Sequence, residues 1–160
     1  MRRPRLVVGV LGGVVLALAV VVGLLVRGVA TDARTSDAVD AATHAATALT
    51  PVLLTYDWRT LDEDAARIDD ATTGPFAEQN RAIVASLVVP AATETRSSSS
   101  AAVARVAVTA SAPDRVETLV LYTQTTTREG AAPTTEPRSA RLTLEPDADD
   151  RWLVSGFDVL

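Results

Sequence analysis

The sequence contains no cysteine and no lysine, a single histidine, and only two each of tryptophan, tyrosine and phenylalanine. Without cysteine there can be no disulfide, no thiolate metal centre and no cysteine nucleophile. His44 alone cannot build a histidine-rich metal site or a base-and-shuttle pair. On a helical count it falls beside Thr43 and Thr47, which puts it on a solvated face. The missing lysine removes any Walker-type phosphate loop, and no Gly-x-Gly-x-x-Gly run is present either. No cofactor and no metal are expected. All 15 basic residues are arginine. Together with abundant alanine and valine, this reflects a GC-rich codon bias rather than a mechanism.

Acidic residues are absent from the first 30 positions, and this divides the chain. Arg2, Arg3, Arg5 and Arg27 bracket an uncharged run, whereas the remainder carries 20 acids against 11 arginines, a net of −9. A surface of that sign repels nucleic acid, so nucleic-acid binding is excluded as a main role.

The uncharged run, Leu6 to Val26, reads LVVGVLGGVVLALAVVVGLLV. As a helix rising ~1.5 Å per residue it spans about 30 Å, the thickness of a bilayer's hydrocarbon core. A lone segment in lipid must be helical to satisfy its backbone. The arginines ahead of it predict a cytoplasmic N-terminus at 1–5, a transmembrane helix at 6–26 and a linker at 27–35. The domain at 36–160 is then held on the outer face of the cell membrane. A basic start with Gly28 and Ala30 also fits a cleavable signal peptide, but the run exceeds the ~7–15 apolar residues usual there, which favours a retained anchor. Gly9, Gly13 and Ala17 lie four apart, the small-residue spacing that lets two membrane helices approach closely.

Beyond the linker, Val39, Ala42, Ala46, Leu49, Leu53 and Tyr56 recur at helical steps and predict a helix over 36–57. Thr50 and Pro51 suggest a kink or restart within it. Thr60-Leu61-Asp62-Glu63 has the form of a capping box and opens a helix over 60–72. Gly74 and Pro75 begin a third over 75–89, with Phe76, Ile83, Val84, Leu87 and Val88 as its buried face and Pro90 closing it.

After Arg96 the period changes to two. Ala104, Val106, Val108 and Ala110 alternate with polar or small residues, and strands are predicted at 101–111, 115–127, 138–146 and 151–159. Trp152 and Val154 should face the helices. Three helices followed by a four-stranded antiparallel meander make an α+β domain.

Two acidic clusters invite a chemical reading. Asp57, Asp62, Glu63 and Asp64 could serve acid–base chemistry, but helix capping and the helix dipole account for Asp62 and Glu63. Asp147, Asp149 and Asp150 lack the glycine that a calcium loop requires, and a hairpin turn explains them more simply. The aromatics Tyr56 and Trp58 fit a wedge at a helix corner better than a ligand contact. No catalytic residue is expected.

Three stretches carry a resemblance: Thr55-Tyr56-Asp57-Trp58-Arg59-Thr60-Leu61-Asp62-Glu63-Asp64, Thr73-Gly74-Pro75-Phe76, and Arg151-Trp152-Leu153-Val154-Ser155. With the order of anchor, helices and strands, they resemble the Mce-associated membrane proteins of actinobacteria. Trp58 and Asn80 stand where that family usually has tyrosine, and Asp149-Asp150 replaces a tighter Asp-Gly turn. The resemblance implies a SnoaL-like cone, helices packed on a curved sheet, in which Tyr56, Asp57, Trp58, Arg59, Asp64, Gly74, Pro75, Phe76 and Trp152 are structural. It also implies a non-enzymatic accessory subunit beside an Mce-type transporter of lipids or sterols, with a protein partner and a possible lipid in the cone. The alternatives are a SnoaL-like enzyme or lipid-binding domain acting on a small hydrophobic substrate, and an envelope scaffold or secretion-complex subunit.

Overall fold

Small residues set the position of the first helix. In the computed structural model, which describes residues 33–160, the chain is helical from 33 to 54 (α1). Ala38, Ala42, Ala46 and Thr50 recur every fourth residue and are all buried. A stripe of methyl-sized side chains lets the helix lie close on the sheet, with Leu49, Leu53 and Leu54 packed at its flank. The expected membrane helix, and with it Gly9, Gly13 and Ala17, lies outside the described residues. Among those described, no helix is long and apolar enough to cross a membrane.

Thr50 does not cap a restart. Its hydroxyl donates to the Ala46 carbonyl at 2.6 Å, and the helix continues through Pro51. Only the last turn follows, so the proline costs a single backbone bond. The helix ends at 54 rather than 57. Tyr56 and Asp57 form a short strand, β1, which pairs with Ser99 and Ser98. This fifth strand is missing from the sequence-based expectation because two residues carry no period.

The second helix, α2, runs Leu61–Asp70 and ends at Ala71. Residues 71–73 lie along the sheet's far edge. The Val154 N–H donates to the Ala71 carbonyl (3.0 Å), and the Thr73 N–H donates to the Val154 carbonyl (2.9 Å). Gly74 takes φ +63, a conformation that side chains disfavour, to turn the chain into α3, Gly74–Ile83.

Pro90 does not close the third helix. A π turn over Val84–Val88 leads into α4, Val89–Thr95. In the π turn the Val89 N–H reaches back to the Val84 carbonyl. The wider turn just ahead of the proline relieves the clash its ring imposes on the preceding turn. Arg96, at φ 45, ends the helix, and the Ser97 N–H closes it on the Ala92 carbonyl at 3.0 Å.

The remaining strands are β2 (Ser98–Ala112), β3 (Arg115–Thr127), β4 (Thr134–Pro146) and β5 (Trp152–Val159), and the antiparallel order is β1-β2-β3-β4-β5. β4 begins at 134, earlier than expected. Pro137 is tolerated there because β5 pairs only from Ala140 onward, which leaves that end of β4 an edge.

Bulges explain where the simple alternation fails. β2 shifts register at Ala104 and again at Thr109. Val103, Val106 and Val108 therefore share the face of Tyr122, Val120 and Thr118; Val103 and Val106 pack against the core, while Val108, like Ala104 and Ala110, is exposed. A third bulge, near Ser155, keeps both Val154 and Phe157 on the inner face of β5, opposite Leu144 and Leu142. The core is Val116, Val120, Tyr122, Leu142, Leu144 and Val154 closing over the alanines of α1.

Candidate functional site

The acidic stretch after α1 builds a corner. Asp64 is buried, and its Oδ2 accepts the Asp57 N–H at 2.8 Å and the Thr60 hydroxyl at 3.0 Å. Its other oxygen is paired with the exposed guanidinium of Arg67. The capping box is therefore corrected: Thr60 makes no side-chain cap bond, and Asp64 rather than Glu63 reaches back over the helix start. Glu63 is one residue too early on the helix to face the turn, and it is exposed.

Asp57 folds over its own turn. Its Oδ1 accepts the Arg59 N–H at 2.9 Å, and this bond holds the carboxyl below the ordinary carboxylate range against a smaller opposing effect of burial. Two cations approach the Trp58 ring, the Arg59 guanidinium at 4.5 Å and that of Arg96 at 5.5 Å from its centre. One guanidinium nitrogen of Arg96 in turn donates to both carboxylate oxygens of Glu129, at 2.7 and 2.8 Å. Tyr56, Asp57, Trp58, Arg59 and Asp64 thus act together to fasten α2 and α4 to the sheet.

The other resemblance residues lie apart from this corner. Gly74 makes the turn into α3. Pro75 and Phe76 line a cleft of about 570 Å³ between α1, α3 and β5, with Leu53, Leu54, Ile83 and Phe157 as further apolar lining. Gln79, Asn80, Ser155 and Asp158 supply its polar atoms, and Asp158 is the single ionisable side chain among the lining residues. Trp152, expected in the core, is half-buried and packs at its margin beside Pro146.

The expected buried face of the third helix is also corrected. No residue of α3 or of the π turn is buried, and Ile83 and Leu87 are 41% and 65% exposed. Of the side read as core, Phe76 and Ile83 form part of the wall of an open cleft. Apolar spacing locates such a stripe, but whether a neighbour covers it depends on tertiary packing. Leu54 and Phe157 were apolar positions without a motif, so only the fold reveals them as cleft residues.

Asp147 organises the β4–β5 turn. Its carboxylate accepts the N–H groups of Asp149 and Arg151, each at 2.9 Å, and pairs with the Arg151 guanidinium at 2.7 Å. Among the described residues, no three acidic or histidine side chains are placed to share a metal ion. His44 is exposed.

No family model matches the chain. It is 34% identical over 152 residues to the outer membrane protein Rv1973 of Mycobacterium tuberculosis, covering 94% of this chain and 93% of that protein. The chain belongs to the family of that protein. A second relative in the same organism, the uncharacterised protein Rv1362c, is 33% identical over 123 residues, 76% of this chain and 56% of its own length.

Solved structures share the fold at low identity. An IcmL-like type IV secretion system protein of Legionella pneumophila superposes with a TM-score of 0.63 at 8% identity, covering 74% of this chain and 88% of that one. The VirB8 protein of Agrobacterium tumefaciens gives 0.53 at 13%, covering 69% and 83%. ActVI-ORFA of Streptomyces coelicolor gives 0.52 at 13%, covering 64% and 85%. The α+β architecture of helices on an antiparallel sheet is common to all three.

Proposed function

We propose that this protein is a non-enzymatic, membrane-anchored accessory subunit of an envelope complex, and that its partner is an Mce-type transporter of lipids or sterols. The observation that carries the reading is the fate of the motif carboxylates. Asp57 and Asp64 are engaged in holding the corner, and the cleft lined by Leu53, Phe76, Ile83 and Phe157 has Asp158 as its single ionisable group. General acid–base work needs a side chain free to exchange a proton with the substrate, whereas binding a partner or an apolar chain needs an apolar wall with a few polar atoms.

The relative's name, an outer membrane protein, supports an envelope setting. Fold likeness alone assigns no function. The secretion-system proteins nonetheless make a scaffold subunit of an envelope assembly the second reading, in which the same cleft and corner serve a different complex.

The deciding experiment measures lipid or sterol uptake and copurification together. Asp57→Asn and His44→Ala should leave uptake unchanged, and a transporter subunit should copurify from native membrane. Abolished uptake in a folded, membrane-located Asp57→Asn variant would establish the enzyme reading instead. Copurification with secretion components and no effect of deletion on uptake would establish the scaffold.

A further inference from the structure

A polar pocket lies at the far end of the β3–β4 hairpin and shares no lining residue with the apolar cleft. On the face that packs against α1, three opposed pairs follow one another outward along the two strands. They are Tyr122 with Arg138, Gln124 with Glu136, and Thr126 with Thr134. Opposed side chains stand ~4.5–5.5 Å apart, and successive pairs on one face are ~7 Å apart. The first pair still belongs to the core on one side, since Tyr122 is buried there. Arg138 and the two outer pairs, with Arg128, line a cavity of about 230 Å³. Ala131 and Ala132 of the connecting loop close it.

Several polar atoms of this pocket have no protein partner. Glu129, the acid next to Arg128 in the chain, is taken by Arg96 at 2.7 Å. Glu136 accepts from Arg138 through one oxygen at 2.6 Å and keeps the other. Arg128 makes no ion pair among the described residues. The side chains of Arg128, Thr126 and Thr134 also make no hydrogen bond among them. Gln124 is oriented by donating from Nε2 to the Ser99 Oγ at 2.9 Å, which leaves its amide oxygen open. A guanidinium and two hydroxyls therefore stand as donors beside two acceptors, the oxygens of Gln124 and Glu136. A solvated strand end needs only to be polar. Donors and acceptors grouped around one cavity match a ligand that carries both an anionic group and hydroxyls.

We infer that this pocket binds a soluble phosphorylated sugar or polyol. The Arg128 fork and the hydroxyls of Thr126 and Thr134 supply enough donors for the three terminal oxygens of a phosphate ester. The Gln124 and Glu136 oxygens accept from the ring hydroxyls. At ~30 Å³ per water the cavity has room for roughly seven waters, which suits one ring with its phosphate and not a chain. Charge decides between a free ligand and a lipid headgroup. From 128 to 138 the charged residues are Arg128, Glu129, Glu136 and Arg138, and Arg96 joins them through Glu129. Three arginines thus meet two glutamates, a local net of +1. Salt screens charges beyond about 8 Å, so a small anion responds to this local set. An anionic bilayer meets the whole domain and its net −9, which selects the soluble ligand.

Calorimetric titration of the full-length protein in neutral detergent tests the site, with inositol 1-phosphate, inorganic phosphate and myo-inositol as probes. Inositol 1-phosphate should bind at least about tenfold more tightly than inorganic phosphate, and myo-inositol should bind most weakly. Arg128→Gln should weaken inositol 1-phosphate by about tenfold or more, the loss of a charge-assisted hydrogen bond. Thr126→Val removes a donor without changing charge and should weaken both phosphates alike. Gln124→Ala should leave inorganic phosphate unchanged and narrow the advantage of inositol 1-phosphate. Arg141→Gln, on the opposite face of β4, should change nothing. Absence of inositol 1-phosphate binding at millimolar concentration overturns the proposal. So does inorganic phosphate binding equally well, or equal losses in Arg128→Gln and Arg141→Gln, which would reduce the effect to diffuse charge. Binding of phosphatidylinositol in mixed micelles without binding of the free inositol 1-phosphate overturns the soluble ligand in favour of a headgroup.

Discussion

Thr118 is the sharpest anomaly at the scale of a single residue. Its hydroxyl is fully buried in the middle of the sheet and has no hydrogen-bond partner among the described residues. An unsatisfied buried group costs roughly 1–3 kcal/mol relative to a shape-matched apolar one. Thr118→Val should therefore stabilise the fold by about 1 kcal/mol, seen as a higher denaturation midpoint; a destabilised variant would reveal a partner for the hydroxyl. Trp152 is the opposite case, a large side chain less buried than its sequence suggests. Alternation with Val154 marks its face correctly, but its place at the start of β5, beside Pro146, leaves one side to solvent. Trp152→Ala should cost about 2 kcal/mol, below the ~3–5 expected for emptying a fully enclosed aromatic site. A loss above that range would place the indole inside the core.

At the scale of elements, turns held by carboxylates make two predictions. In the β4–β5 turn, the backbone N–H of Arg151 is the largest influence holding the Asp147 carboxyl below its ordinary range. A depressed folded value means the turn's contribution is fully present above the unfolded value, about 3.9, and is lost as pH falls through the lower folded one. Asp147→Ala should therefore be less stable than the native chain at neutral pH, with the gap closing below about pH 4. A gap that stays constant across the acid limb would mean that the carboxylate plays no part. Asp150, in the same turn, sits at φ 59, in the left-handed region that favours glycine. Aspartate tolerates this region better than most residues but still at a cost. Asp150→Gly should raise stability by up to about 1 kcal/mol, and a lower unfolding midpoint would show that the aspartate side chain holds the turn.

Elements with a sustained period were legible in the sequence. β3 matches at both ends, 115–127, because thirteen residues of β-branched and polar alternation leave little freedom. β1 was not legible, since two residues have no period. The bulges of β2 were hidden because an extra residue in a run of alanines changes the facing without changing the pattern. At the candidate site, the motif from Tyr56 to Asp64 was visible as a sequence stretch, and the structure places Asp57 and Asp64 in hydrogen bonds at the corner between α1 and α2. The cleft was not visible, since Leu54, Ile83 and Phe157 come together only once α1, α3 and β5 are packed. Pro51 and Pro90 misled for one reason. A proline forbids one hydrogen bond, and a helix near its end or beside a π turn can do without it.

For the whole molecule the separation of charge matters most. Every acid lies beyond Ala30, and Arg2, Arg3 and Arg5 precede the apolar run. If that run anchors the chain with its N-terminus inside, the acidic domain stands outside. There its net −9 keeps it off anionic headgroups and leaves the cleft and the corner free for a partner. Ala148 is exposed in the β4–β5 turn, so a cysteine there, in a chain without any other, reports its side of the membrane. An impermeant thiol reagent added to intact cells should label Ala148→Cys without permeabilisation, in a protein that sediments with membrane and retains Arg2 and Arg3. Replacing 6–26 with an unrelated membrane helix should keep that labelling but weaken copurification of the transporter, because Gly9, Gly13 and Ala17 would no longer let a partner helix approach closely. Unchanged copurification would place the whole contact on the outer domain. Labelling only after permeabilisation would reverse the orientation, and release of a mature protein lacking the apolar run would replace the anchor with a signal peptide.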